Sequence, residues 1–248
     1  MMLNVLNRLN LKRIFFSSLG RIFFLGLYHL DASALTYKIP LLSNVIGEHA
    51  EVKAGSAVTL TEVAQQYDIG MYEMGKANPH LNQKRLQPNT SVIIPAQFTL
   101  PSGSREGIVL NLADMRVFYY HPDGNTVTTY PVGVGRQGWS TPSGTTRIVS
   151  KEKNPAWHPP ASIRREAARK GKTLPLVVPP GPHNPLGQYK MNLGFTGILI
   201  HGTTQPASIG LYSSHGCIRL YNADIKELFY MAPIGTLVRV VYEPQEHE

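Results

Sequence analysis

The chain has 248 residues, of which 42% are hydrophobic and 16% charged, and its formal net charge is +8. This composition is typical of a globular protein and excludes an intrinsically disordered chain. Nineteen prolines and 22 glycines indicate many turns and favour a β-rich fold over a helical bundle. The single cysteine excludes an internal disulfide, so a reactive role has to be weighed for it.

The first 34 residues predict a secretory signal peptide. Basic residues precede an apolar stretch, and Ala32-Ser33-Ala34 matches an A-x-A cleavage pattern. An uncleaved membrane anchor is the alternative. The apolar run 22–30 is shorter than the ~20 residues that span a bilayer, and lengthening it backwards would bury Arg21. We therefore predict export, cleavage after Ala34, and no integral membrane anchor in the mature chain.

Residues 48–95 predict a small β-α-α-β domain. A strand is expected at 51–53, and Thr59 with Glu62 forms a capping-box pattern that opens a helix. A second helix is expected at 71–77 and a second strand at 91–94. The mature chain keeps a moderate positive charge, but it carries no Lys/Arg run or base-stacking motif, so nucleic acid is not a predicted partner.

This small domain resembles a LysM domain, a family that binds glycan chains of the N-acetylglucosamine type. The segments Ala77-Asn78-Pro79 and 92–95 carry the resemblance. Gly55-Ser56-Ala57 departs from the family's usual Gly-Asp followed by Thr or Ser. Since a fold does not fix a function, a plain spacer domain is the alternative.

Residues 96–106 predict a linker, and residues 107–242 a mostly β domain. Strands are expected at 108–112, 116–120 and 126–132, with Asp123-Gly124 as a hairpin signal. The domain closes with a helix that Asn222 could cap and that runs through Met231, then a strand from 236 to 242. For Asp224, in the first turn of that helix, capping is the favoured role over a catalytic one.

An insertion from 151 to 191 interrupts the strands. It holds eight prolines between Pro155 and Pro185, and a helical patch at 162–170. Long insertions in compact domains are usually functional. Because this one ends just before the reactive segment described next, we predict that it forms a wall of the substrate groove.

The reactive segment runs from 198 to 220 and contains Cys217, His201 and His215. A nucleophilic thiol needs an imidazole to take its proton, and a loop of this length can bring His201 beside Cys217. Gly216 removes a side chain next to the sulfur and lets backbone N–H groups face a tetrahedral intermediate. Two alternatives stay open here: Cys217 as a buried hydrophobe, and a zinc site formed by these three side chains.

The same segment resembles the signature of the YkuD family of L,D-transpeptidases, which act on bacterial peptidoglycan. The resemblance rests on His201-Gly202 followed by Ser214-His215-Gly216-Cys217 and then Ile218-Arg219-Leu220. The segment 141–146, Thr-Pro-Ser-Gly-Thr-Thr, is part of it. The resemblance implies a YkuD-type β-sandwich catalytic domain after the LysM-like domain, and a location in the periplasm.

The resemblance also implies the role of each site residue. Cys217 would be the nucleophile, His201 the general base and acid, and the Gly202 carbonyl would orient the imidazole. The oxyanion hole and the site lining would comprise Ser214, His215, Gly216 and Arg219, with Arg219 a partner for a substrate carboxylate. No metal and no cofactor is required.

The implied reaction is acyl transfer from a tetrapeptide stem, with release of D-alanine, to an amine. The amine is that of another stem, giving a 3→3 cross-link, or a lysine of an outer-membrane lipoprotein. The implied partners are thus peptidoglycan stem peptides and glycan strands. The alternatives are an L,D-carboxypeptidase, a lipoprotein-releasing hydrolase, a non-catalytic wall-binding protein and a zinc hydrolase.

Overall fold

The computed structural model describes residues 35–56 and 58–244. The predicted signal peptide lies outside the described residues. Across the described part of the chain, no helix has both the length and the apolar character needed to cross a membrane.

The secondary structure within the described residues consists mainly of short strands. The strands are β1 (Leu35–Lys38), β2 (Val45–Gly47), β3 (Ala50–Lys53), β4 (Ser91–Ile94), β5 (Gln97–Thr99), β6 (Gly107–Asn111), β7 (Arg116–Tyr120), β8 (Thr126–Pro131), β9 (Val134–Gly135), β10 (Gly144–Lys153), β11 (Tyr189–Leu193), β12 (Leu199–His201), β13 (Tyr212–Ser214), β14 (Ile218–Arg219) and β15 (Leu237–Val241). The helices are α1 (Leu60–Gln66), α2 (Met71–Ala77), α3 (Ala161–Arg169) and α4 (Asn222–Met231).

Nine strands form one hydrogen-bonded sheet, in the order β1-β8-β7-β6-β15-β10-β11-β12-β14. Its neighbours are antiparallel except for two parallel pairs, β6 with β15 and β12 with β14. The long strand β10 pairs first with β15 and then with β11, with a register shift between Ile148 and Ser150. Such a shift bends a strand, and the sheet is curled. The predicted mostly β fold is confirmed.

Strands β6 and β7 are buried on both faces. Ile108 and Leu110 belong to the core of the catalytic domain, which α4 closes with Ile225 and Leu228. The alternating residue Val109 belongs to a second core, which the N-terminal residues share. Because side chains alternate along a strand, one apolar strand serves both cores, as is typical of strands covered on two sides.

The N-terminal unit has the predicted strand-helix-helix-strand order, with β3 and β4 paired antiparallel. The predicted capping box is present. Thr59 Oγ1 accepts from the Glu62 N–H at 3.1 Å, and Glu62 Oε2 accepts from the Thr59 N–H at 2.7 Å. Asn78 ties α2 to β4, since its side chain exchanges two 2.8 Å hydrogen bonds with the Ile93 backbone. The LysM-like identity of this unit stays a prediction.

The segment 96–106, predicted to be a linker, is packed against the protein. Its strand β5 pairs with β2, and Leu100 is buried in the second core. Ser102 accepts from Arg239 through its carbonyl and donates to Glu243. The polar composition of the segment hid the burial of Leu100 from sequence analysis.

Buried polar groups also join the N-terminal unit to the catalytic domain. Arg116, on β7, is fully buried and donates to Glu73 Oε2 at 2.9 Å and to the Asp68 carbonyl at 3.2 Å. The Tyr221 hydroxyl donates to the Ile69 carbonyl at 3.2 Å. These bonds fix the N-terminal unit on the back of the catalytic sheet.

Two carboxyl groups are buried in the same interface. Asp68 and Asp224 are 1% and 0% exposed, and their side chains are hydrogen-bonded to each other. Burial raises the pKa of Asp68 to about 7, although the Arg116 charge opposes it. Burial, together with the Asp68 charge, raises the pKa of Asp224 well above its ordinary range. The predicted capping role of Asp224 is wrong, because its side chain makes no cap bond.

This pair predicts that the protein loses stability as the pH rises. The folded protein holds the carboxyl protons more tightly than the unfolded chain, so the stabilisation is complete below about pH 4 and is lost as the pH rises through about 7. We expect Asp224→Asn to flatten the fall of Tm between pH 5 and pH 8, measured by circular dichroism. Asp123→Asn, in an exposed loop, serves as the control. An unchanged slope in Asp224→Asn would contradict this account.

Candidate active site

His201 ends strand β12 and is 4% exposed. Its Nδ1 lies 2.6 Å from the carbonyl oxygen of Gly202. A carbonyl only accepts hydrogen bonds, so Nδ1 carries the proton of the neutral ring. This leaves Nε2 with a free lone pair, the form that a general base requires.

The turn after His201 is held by Asn222. Its side chain accepts from the Thr203 N–H at 3.0 Å and donates to the Thr203 carbonyl at 2.9 Å. A Cβ on Gly202 would lie 2.3 Å from Asn222 Oδ1, so a side chain at this position would displace the Asn222 amide. The predicted role of Asn222 as a helix cap is wrong: α4 begins at Asn222, with Tyr221 at the N-cap position.

Cys217 lies in the loop just before β14 and is partly exposed. Its thiol donates to the Gly197 carbonyl at 3.6 Å. Ser214 shapes the loop, since its hydroxyl donates to the Cys217 carbonyl at 2.5 Å and accepts from the Gly216 N–H at 3.1 Å. Thr141 adds a 2.8 Å bond to the Gly216 carbonyl. The backbone beside the sulfur is therefore fixed from both sides.

Strand β12 pairs in parallel with β14, the strand that follows Cys217 directly. His201 is opposite Arg219 and Ile200 is opposite Ile218, and both isoleucines are buried in the core. Since side chains alternate, His201 and Arg219 face the other way. Cys217 lies two residues before Arg219, just outside the strand.

The surroundings of His201 and Cys217 favour the neutral form of both side chains. Burial, with the Arg219 charge, lowers the pKa of His201 to about 4, although the Gly202 hydrogen bond opposes the change. Burial raises the pKa of the Cys217 thiol, partly offset by a backbone hydrogen bond from Leu199 and by the Arg219 charge. The neutral imidazole and the neutral thiol are thus the favoured forms of His201 and Cys217.

Arg219 is the cation shared by both groups. Its charge acts on His201 and on Cys217 alike. No ion pair or side-chain hydrogen bond of Arg219 is seen among the described residues. A half-buried guanidinium with unused donors beside a thiol is suited to binding a carboxylate.

Comparison with known families agrees with this geometry. The model of the YkuD L,D-transpeptidase catalytic domain matches residues 105–240, more than half of the chain. The chain belongs to the YkuD family. It is therefore a transpeptidase enzyme.

Curated relatives of this YkuD enzyme match along most of its length. It is 40% identical to "Probable L,D-transpeptidase ErfK/SrfK" of Escherichia coli K12 over 218 residues, which is 86% of this chain and 70% of the relative. It is 41% identical to "Probable L,D-transpeptidase YbiS" of the same organism, over 86% and 71% of the two chains. The NMR structure of the E. faecium L,D-transpeptidase catalytic domain is similar with a TM-score of 0.43, at 24% identity over 56% of this chain and 99% of that one.

One part of the YkuD site was not found by sequence analysis: an ion-pair network around His215. Glu166, on α3 of the insertion, lies 2.7 Å from Arg136 Nη2 and 2.8 Å from His215 Nε2. Trp139 packs against the His215 ring with 4.8 Å between centroids. Arg136 and Glu166 are 30 residues apart in sequence, and no motif marks either of them. The insertion, predicted to form a wall of the groove, thus contacts His215 through the Glu166 carboxylate.

The side chains weighed as zinc ligands are not clustered in the described part of the chain. Within residues 35–56 and 58–244, no group of three or more His, Cys, Asp or Glu residues converges in a way that would hold a metal ion. His215 faces Glu166, whereas His201 is bonded to the Gly202 carbonyl. The three residues are near in sequence but have separate partners.

The N-terminal unit supports the loop between His201 and Cys217. The Met71 N–H donates to the Ile209 carbonyl at 2.9 Å. A Cβ on Gly210, whose φ is +78°, would lie 2.5 Å from the Gly70 Cα. This close backbone contact joins the start of α2 to the catalytic loop.

Proposed function

We propose that this enzyme acts on peptidoglycan by cysteine acyl transfer, with Cys217 as the nucleophile and His201 as the general base and acid. The observation that carries the proposal is the parallel pairing of β12 with β14. It places His201 opposite Arg219, two residues from Cys217, and no ion pair of that guanidinium is seen among the described residues. The hydrogen bond to the Gly202 carbonyl supports the proposal, because it leaves His201 Nε2 free to accept a proton.

In this mechanism His201 takes up and returns one proton in each half of the reaction. The Cys217 S–H proton passes to His201 Nε2 while the sulfur attacks the carbonyl carbon of the third stem residue. The tetrahedral intermediate collapses as the C–N bond breaks, and the departing D-alanine amine takes the proton from His201. In the second half, an incoming amine gives a proton to His201 and attacks the thioester. That proton returns to the sulfur when the acyl group leaves.

Backbone N–H groups of the loop would stabilise the oxyanion. The Gly216 N–H is already bonded to Ser214 Oγ, so its use would require that bond to be exchanged. No hydrogen bond from the N–H of His215 or of Cys217 is seen among the described residues. These two donors are the better candidates, since an oxyanion hole needs N–H groups that are free before the reaction.

Arg219 would bind a carboxylate of the donor stem, and the LysM-like unit would bind the glycan strand. Because that unit is fixed on the catalytic domain by Arg116 and a shared core, it would present the strand in one orientation. We further propose that the chain is exported to the periplasm. The amine acceptor is a neighbouring stem or a lysine of an outer-membrane lipoprotein.

The low pKa of His201 determines the pH below which the acylation rate falls. With a pKa of about 4, the neutral imidazole is the main form above pH 5, so the base is available across that range. We expect the acylation rate of Cys217 by a carbapenem to stay level from pH 7 down to about pH 5 and to be halved near pH 4. Quenched-flow intact-mass spectrometry measures this rate. An acid limb centred near pH 6.5 would contradict the burial of His201.

The proposed function is tested by product analysis. The mature enzyme is incubated with a disaccharide-tetrapeptide and the products are identified by mass. Loss of D-alanine with cross-linked dimers supports transpeptidation. Trimmed stems without dimers would assign the same site to an L,D-carboxypeptidase. Unchanged substrate, with no thiol adduct but with binding to isolated cell walls, would make the protein a wall-binding module and refute catalysis.

A further inference from the structure

The Glu166 network has the form of an occupied carboxylate-binding site. Both Glu166 oxygens lie within 2.8 Å of Arg136 Nη2, and Oε2 lies 2.8 Å from His215 Nε2. Lys170, one helical turn along α3, adds a 2.5 Å contact to Oε1. Three nitrogen groups thus surround one carboxylate, and one of them, His215, is two residues from Cys217 in sequence.

Glu166 is ionised at every pH at which the enzyme would work. Hydrogen bonds from Lys170, Arg136 and His215 hold the pKa of its carboxyl well below the usual range. Arg136 and His215 therefore interact with a full negative charge in the resting protein, as they would with any other carboxylate.

Glu166 also holds the helix that carries it. No side chain of α3 is buried. Within the described residues, the hydrogen bonds and ion pairs that join α3 side chains to the rest of the protein are those of Glu166 with Arg136 and His215. The base of the insertion is anchored separately: the Asn184 amide donates to the Pro155 carbonyl at 2.8 Å, and Trp157 pairs with Val178.

The site lies beside the catalytic groups. The charges of Arg136 and Arg219 act on each other, and Arg219 acts on Cys217. His215 is separated from Cys217 only by Gly216. Only Nη2 of Arg136 is hydrogen-bonded among the described residues, so its other donors are free to guide an incoming anion.

We propose that Arg136 and His215 form a second carboxylate-binding subsite for the donor peptide, and that Glu166 fills this subsite until a carboxylate of the donor replaces it. The inference rests on the proposed function, because it takes an anionic peptide stem as the substrate. Exchange of one carboxylate for another keeps the guanidinium paired throughout, which avoids an uncompensated cation. Glu166 is thereby a competitor that sets the affinity for anionic donors.

The test measures binding apart from catalysis. Every variant is made in the full mature chain carrying Cys217→Ala, and calorimetry gives the Kd of a tetrapeptide stem and of its fully amidated counterpart. Glu166→Gln removes the carboxylate that occupies the subsite, and Arg136→Gln removes the guanidinium that would bind the carboxylate of the stem. Two matched controls change charge elsewhere: Glu152→Gln, which is paired with Lys190, and Arg165→Gln, on the exposed side of α3.

For the anionic stem we expect Glu166→Gln to lower the Kd about fivefold and Arg136→Gln to raise it about tenfold, as a partly exposed charge-assisted bond allows. The amidated stem should bind all variants alike, and the controls should match the parent. Weaker binding of the anionic stem by Glu166→Gln would make Glu166 a structural support and overturn the proposal. Equal changes in the Kd of the anionic stem and of the amidated stem would also overturn the proposal. Since no thioester can form in this background, the outcome is independent of whether Cys217 is the nucleophile.

Discussion

Replacing Cys217 by alanine is expected to abolish turnover, with a loss of at least about 1,000-fold, the scale seen when a covalent nucleophile is removed. No other thiol in the chain can take over, because Cys217 is the only cysteine. Cys217→Ser should be nearly as inactive, since a hydroxyl beside an imidazole with a pKa of about 4 holds its proton more firmly than a thiol does. Release of D-alanine from the tetrapeptide measures the effect.

The single cysteine also supplies the control for this experiment. A thiol reagent should label the native enzyme once and the two variants not at all, while thermal unfolding checks that the fold is kept. Ser214 and Thr141 hold the loop through backbone groups, so a small side chain at 217 should not disturb it. Retention of more than a tenth of the native rate in Cys217→Ala would exclude thioester chemistry at this position.

The second large effect is expected for His201→Gln, with a loss of about 100- to 10,000-fold in turnover, the usual contribution of a general base. Glutamine can still donate to the Gly202 carbonyl and fill much of the buried space, but it cannot accept and return a proton. The step lost is the proton transfer, so the acylation rate should fall while donor binding is retained. Stopped-flow acylation by a carbapenem separates the two quantities.

The matched control is His183→Gln, which changes an exposed histidine of the insertion and should react at the native rate. Because His201 is buried and its charged form is disfavoured, glutamine should not lower the Tm by removing a charge. If His201→Gln acylates within tenfold of the native rate, another group takes the thiol proton, and His201 loses its assigned role.

Local patterns in the sequence predicted much of the fold. The strands 116–120 and 126–132 and the capping box of Thr59 with Glu62 were predictable, because alternation and capping depend on residues close in sequence. The same holds for the helix in the insertion, predicted at 162–170 and found at Ala161–Arg169. Strand β1 was missed, since its partners on β8 are 88 to 94 residues away in sequence.

The site was predictable where it follows one continuous motif. His201 and Cys217 are 16 residues apart and belong to one motif, which marks both of them, and their catalytic roles stay a prediction. The network of Arg136, Glu166 and His215 joins three separate segments, and only the folded chain shows it. The same distance effect explains the error at Asp224, which looks like a helix cap in sequence but is buried beside Asp68, a residue of the other domain.

The most direct test of the account is to locate the covalent intermediate. The enzyme is mixed with the tetrapeptide donor, quenched in acid within one turnover, digested, and sequenced by tandem mass spectrometry. We expect the peptide that contains Cys217 to gain the mass of the acylating tripeptide as a thioester, and His201→Gln to show little of this species at the same time. Full activity after alkylation of Cys217, or an acyl group on any other side chain, would contradict the claim that the Cys217 thiol and the His201 imidazole act together.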